Sequence, residues 1–174
     1  LVPEHAAHFA HWREASHKTR ATTRCFQDVA YGRGSNETLD IFPTDKPTAK
    51  RGAPVLVFIH GGYWRELFDR EHMRPLAVAL AQQGFNVVLP EFRRIAGFPE
   101  TTLRDLAFAI STLSETKLTL IGYSSGGHLA LLLADKFAHI TNVIGLAPVT
   151  DLVESQDREL GRGAVREWLG RDAT

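Results

Sequence analysis

One cysteine and one methionine stand among 174 residues, and no apolar run is long enough to cross a bilayer. The single Cys25 excludes an internal disulfide and a four-cysteine zinc site. It fits a reducing compartment and, inside a strand-like run, reads as a small core residue. Excess charge of either sign is lacking too: Lys plus Arg number 20, and so do Asp plus Glu. That balance gives no basic footprint for nucleic acid or an anionic membrane. The first residues, Leu1-Val2-Pro3-Glu4-His5, carry neither the basic nor the apolar region of a signal peptide. The expectation is a cytoplasmic protein with a small-molecule substrate, and no nucleic acid or membrane as partner. No repeat, low-complexity tract or linker breaks the chain, whose length suits one domain.

Residues 3 to 20 read as a helix, with Pro3 suited to the first turn and Phe9 and Trp12 three apart. His5, His8 and His11 are also three apart. An exposed helix face is favoured there over a metal site, since no carboxylate partner is readable. The runs 25–31 and 38–42 flank Gly32-Arg33-Gly34-Ser35-Asn36, which predicts an antiparallel hairpin. Val55-Leu56-Val57-Phe58-Ile59 is apolar throughout, as a strand buried on both faces must be. Further strands are predicted at 85–89, 118–121 and 143–147, the last also buried. Helical stripes fall at Met73 to Ala81 and Leu103 to Leu113, and an apolar helix runs from 128 to about Phe137. The tail from Glu154 to Gly170 reads as one helix carrying Leu160, Val165, Trp168 and Leu169. The alternation defines an α/β class: a mostly parallel sheet with helices on both faces, preceded by a hairpin.

Two motifs carry chemistry. Gly122-Tyr123-Ser124-Ser125-Gly126 lies between a predicted strand and a predicted helix. G-x-S-x-G in that context is a nucleophile elbow, with the serine hydroxyl exposed at the carboxyl end of the sheet. Ser124 as an ordinary helix cap is the blander reading, which the flanks disfavour. His60-Gly61-Gly62-Tyr63-Trp64 follows the strand at 55–59. Acyl transfer creates an oxyanion that fixed donors must meet, and glycines let backbone N–H groups approach it.

These segments resemble a family. The α/β-hydrolase fold carries this arrangement, and His60 to Trp64 resembles the HGGxW motif of kynurenine formamidases (arylformamidases) and their esterase relatives. Gly122 to Ala130 resembles that family's elbow, GHSAGGHLA. Thr38 to Pro43 and Pro90-Glu91-Phe92-Arg93 fall where similar segments occur. Hormone-sensitive-lipase-type esterases carry a third glycine where Tyr63 stands. The resemblance implies Ser124 as nucleophile and Gly62, Tyr63 and Ser125 as oxyanion donors, with Gly61 shaping the loop. It implies no cofactor and no metal. His60 is expected to hold the loop by hydrogen bonds, Trp64 to pack beneath it and Tyr63 to face substrate. Arg93 and Arg94 read equally as cleft-lining or solvated.

The base and its orienting acid are not readable. After Ser124 only His128 and His139 remain. His128 stands one turn into the helix and reads as structural; His139 follows a helix leading away for roughly 20 Å. Asp151 is favoured as a loop or capping residue. The resemblance implies two further strands beyond Thr174, something like 60 residues at about 30 per βαβ unit. The expectation is a longer protein, ahead of a true fragment or a catalytically dead relative. If the chain ended there, the edge after 143–147 would invite a second copy, a homodimer. The implied activity is hydrolysis of N-formylkynurenine or a similar N-formyl aromatic amine. The alternatives are a carboxylesterase on small acyl esters and a non-catalytic binding module.

Overall fold

The computed structural model describes residues 5–46, 55–113 and 117–174; of residues 5, 6, 9 and 19–22 it describes the backbone only. Pro3 and the side chains of His5 and Phe9 thus lie outside the described residues, as does most of the loop predicted to end at Gly52. A first helix, α1 (His5–Thr22), precedes a hairpin of β1 (Phe26–Ala30) and β2 (Thr38–Phe42). Glu37 closes its turn: its carbonyl accepts from Tyr31 N at 2.9 Å, and its carboxylate from Gly34 N at 2.7 Å. β3 (Val55–Ile59), a short 3-10 turn at Arg70–Met73, α2 (Arg74–Gln82) and β4 (Val87–Pro90) follow. Then come α3 (Pro99–Ser111), β5 (Leu118–Tyr123), α4 (Ser125–Leu133) and β6 (Ile140–Leu146). Two short helices, α5 (Leu152–Asp157) and α6 (Ala164–Leu169), complete the order.

The six strands form one sheet in the order β1-β2-β4-β3-β5-β6. The pairings β1–β2 and β2–β4 are antiparallel, and β4–β3, β3–β5 and β5–β6 are parallel. The apolar run in β3 explains the layering, because side chains alternate across a strand. Leu56 and Phe58 pack with Phe42, Val87, Leu89 and the Ala77/Ala81 face of α2. Val57 and Ile59 pack on the other side with Leu106 and Ile110 of α3 and Leu129 and Leu133 of α4. β3 therefore buries apolar surface on both faces, each Å² contributing about 25 cal/mol. Asp40, fully buried on β2, ties sheet to helix by accepting from Arg74 Nε at 2.7 Å.

Three expectations are corrected. The apolar helix after the elbow ends at Leu133, short of Phe137, and its Leu131 and Leu132 are exposed. β6 is not buried: it is the sheet edge, with Ile144 at 45% and Leu146 at 40% exposure. The tail is two helices, not one. Gly161, Arg162 and Gly163 stand at positive φ in succession, a conformation no α-helix contains, and Leu160 is exposed. Among the described residues no helix is long and apolar enough to cross a membrane.

Candidate active site

Parallel strands deliver their carboxyl ends to one edge of the sheet, and the two motifs meet there. Ser124 stands between β5 and α4 at φ 53°, ψ −121°, a costly conformation for any residue with a side chain. Backbone bonds hold it: Ser124 N donates to Leu146 O at 2.9 Å, and Gly127 N donates to Ser124 O at 2.9 Å. The small neighbours are a steric necessity. A Cβ on Gly122 would sit 2.2 Å from Gly126 O, and one on Gly126 would sit 2.3 Å from both Ile59 O and His60 O. The ends of β3 and β5 and the start of α4 are therefore in backbone contact.

The loop after β3 curls through three consecutive positive φ values: Gly62 at 127°, Tyr63 at 54° and Trp64 at 57°. It lies directly against the serine, since a Cβ on Gly61 would be 3.1 Å from Ser124 Cβ. Among the described residues, the N–H groups of Gly62, Tyr63 and Ser125 donate to no backbone or side-chain acceptor. Unclaimed backbone donors on a loop beside a serine are the kind of group that can meet an oxyanion.

Buried charge supports the loop from below. His60 Nδ1–H donates to Gly61 O at 2.8 Å, its ring stacks on Phe92 with centroids 4.6 Å apart, and Nε2 lies 3.3 Å from Glu91 Oε1. Glu91 also accepts from Arg70 N and Phe92 N, each at 3.1 Å, and from Arg94 Nη1. Burial alone would raise the Glu91 pKa. His60 and Arg94 outweigh it and hold the carboxyl well below the usual range.

The tail clasps the loop from above. Trp168 stacks on Trp64 with centroids 4.9 Å apart and planes 13° apart. Arg65 Nη2 donates to Glu167 at 2.6 Å, and Gly161 abuts the Tyr63 ring. His128 sits edge-on to both indoles, 5.5 Å from Trp64 and 5.3 Å from Trp168. Burial pushes its pKa down to about 4. A base whose folded pKa lies below its unfolded one gives stability that is present above pH 6.5 and lost as pH falls toward 4. The linkage is about 2–3 kcal/mol between pH 7 and pH 4. In urea unfolding, His128→Gln should therefore cost more at pH 7 than at pH 4.5. An equal cost at both would contradict the buried neutral imidazole.

A pocket of about 200 Å³ opens beside Ser124, walled by Trp12, Tyr63, Phe68 and Tyr123. Asp69 and His72 form a polar wall of it. His72 Nδ1 lies 3.5 Å from Asp69 Oδ1, and that partner raises the imidazole pKa.

The structure brings Ser124, Ser125, Gly61, Gly62 and Tyr63 together, with His60 and Trp64 buried behind them. Tyr63 keeps 37% exposure on the pocket wall. Arg94 is buried rather than cleft-lining, and Arg93 is tied to Asp105 and Glu37. Asp151 caps α5, accepting from Glu154 N at 2.8 Å. His139 sits at the opposite end of the sheet, where its carbonyl accepts from Leu118 N. His8 and His11 are exposed, and among the described residues no cluster of metal-ligating side chains forms. Sequence reasoning missed the roles of Glu91, Asp69, His72 and Trp12. For Glu91 a signal existed: it directly follows β4, as Ser124 follows β5 and His60 follows β3.

A serine elbow and an unclaimed donor loop at the carboxyl ends of a mostly parallel sheet define the α/β-hydrolase class. The chain belongs to the BD-FAE family, whose model matches residues 39–174. It is similar to kynurenine formamidases. That of Danio rerio is 26% identical over 138 residues, covering 72% of this chain and 44% of the relative. That of Drosophila melanogaster is 27% identical over 168 residues, covering 86% and 53%. The chain thus spans about half the length of these relatives. Solved structures carry the same fold. A protein from Silicibacter sp. TM1040 aligns at TM-score 0.79 and 25% identity, over 99% of this chain and 67% of that one. Esterase LipW from Mycobacterium marinum aligns at 0.73 and 18% identity, over 98% and 62%.

Proposed function

We propose that the protein is a serine hydrolase of N-formyl aromatic amines, with N-formylkynurenine or a close analogue as substrate. One observation carries the proposal: Ser124, held at φ 53°, borders the unclaimed N–H groups of Gly62, Tyr63 and Ser125. Ser124 Oγ attacks the formyl carbon while its proton passes to a base. The carbonyl electrons move onto oxygen, and the three N–H groups receive the oxyanion. The C–N bond breaks, the amine leaves with a proton, and a formyl ester remains on Oγ. Water then attacks that ester, releasing formate and restoring the hydroxyl. The resemblance implies that the base and its orienting acid follow Thr174. The aromatic walls Trp12, Phe68 and Tyr123 suit a flat leaving group. The names of the formamidase relatives favour this substrate class.

The second reading is a carboxylesterase, favoured by the fold shared with esterase LipW. A panel decides between them. The full-length protein should react with a fluorophosphonate at Ser124 and release formate from N-formylkynurenine. Hydrolysis of aryl esters with N-formylkynurenine left intact would select the esterase. No labelling of Ser124 would overturn both.

A further inference from the structure

We infer that Glu91 is a positioning residue for the oxyanion donors, holding the loop from Gly61 to Arg65 at both ends through His60 and Arg94. The inference rests on the serine hydrolase reading above. The near end is set by His60. A carbonyl can only accept, so the 2.8 Å contact from His60 Nδ1 to Gly61 O fixes a hydrogen on Nδ1. Ring orientation is then fixed by the stack on Phe92 and at Nε2, which lies 3.2 Å from the Arg94 Nη1 that Glu91 holds and 3.3 Å from Glu91 Oε1 itself. No described peptide bond is cis, and across a trans peptide the N–H and C=O point in opposite directions. Drawing Gly61 O toward His60 therefore turns the Gly62 N–H away from it. Gly61 itself lies against Ser124, where a Cβ added to it would stand 3.1 Å from Ser124 Cβ.

The far end is set by Arg94. Its Nη1 meets Glu91 and donates to Phe92 O at 2.6 Å, while its Nε donates to Arg65 O at 3.0 Å. Arg65 N in turn donates to Gly62 O at 3.1 Å. One carboxylate thus governs both carbonyls that frame the donors. The loop needs such ties, because three successive residues at positive φ relax when released. Glu91 touches no reacting atom, so its effect should fall on the transition state and not on substrate binding.

Glu91→Gln keeps the size of the side chain and removes its charge. In the full-length enzyme, kcat per fluorophosphonate-titrated site should fall roughly 10- to 100-fold with KM within about 2-fold. An aryl trifluoromethyl ketone, which adds the serine hydroxyl to give an anionic adduct, should lose affinity in parallel with kcat. Affinity for the aryl amine product should stay unchanged. Titrating sites removes any loss of folded enzyme, so a purely structural role would leave all these ratios at wild-type values and overturn the inference. A rise in KM alone would overturn it too. If Glu91→Gln fails to fold, Arg94→Lys keeps the charge but loses the reach to Arg65 O. It should show the same split, and an unchanged kcat there would count equally against the inference. Failure of the wild-type protein to react with the fluorophosphonate would instead sink the hydrolase reading itself.

Discussion

Gly126→Ala is expected to destabilise the protein by about 3 kcal/mol or more, at the upper end of overpacking costs. The new Cβ would lie 2.3 Å from both Ile59 O and His60 O. Neither oxygen belongs to a flexible side chain. Moving them means moving the end of β3, which is registered against β5 from Val55 to Ile59. Moving α4 instead means breaking the bonds from Gly127 N and His128 N to Ser124 O. No soft partner can yield, so the clash is shared between the sheet and the elbow. Urea unfolding monitored by circular dichroism would measure it. A shift under about 0.5 kcal/mol would show that the three backbones do not meet as described.

Ser124→Ala should lower kcat/KM on the order of 10⁴-fold or more while leaving stability within about 0.5 kcal/mol. The two halves of that expectation have different causes. Alanine carries the same Cβ as serine, so the backbone at φ 53° is neither relieved nor further strained. The only loss is the hydroxyl that would attack the carbonyl. Residual turnover should remain above the uncatalysed rate, because donors on Gly62, Tyr63 and Ser125 persist without the nucleophile. Formate release by the full-length variant is the measurement. Activity within a hundredfold of wild type would remove Ser124 from the proposed mechanism.

What sequence alone reveals here follows physical locality. The strand at 55–59 was legible because burial on both faces leaves an uninterrupted apolar run, and each face proved to meet its own helices. Both motifs were legible because their conformations demand particular residues at fixed spacing: Gly122 and Gly126 for backbone contact, and Gly62 at φ 127°. The place of Glu91 directly after β4 was legible but its role was not, because its partners come from residues 60, 70, 92 and 94 and converge only in the folded sheet. β6 misled for a related reason. Its apolar sequence matches that of a central strand, and exposure depends on what lies beside it. The tail misled because residues 161–163 adopt positive φ, and Arg162 gives no compositional warning of that.

The indole stack gives the molecule a built-in optical gauge. Of the three tryptophans, Trp64 rides on the donor loop and Trp168 on α6, and their rings lie nearly parallel at 4.9 Å. Parallel aromatic rings in contact couple their electronic transitions, and the coupling fades steeply with separation. Near-ultraviolet circular dichroism therefore reports whether loop and tail stay packed, while the amide signal at about 208 nm reports helices and sheet. Trp12, on the pocket wall and 39% exposed, responds to the pocket. Loosening of the clasp would thus be visible as a spectral change before any secondary structure is lost.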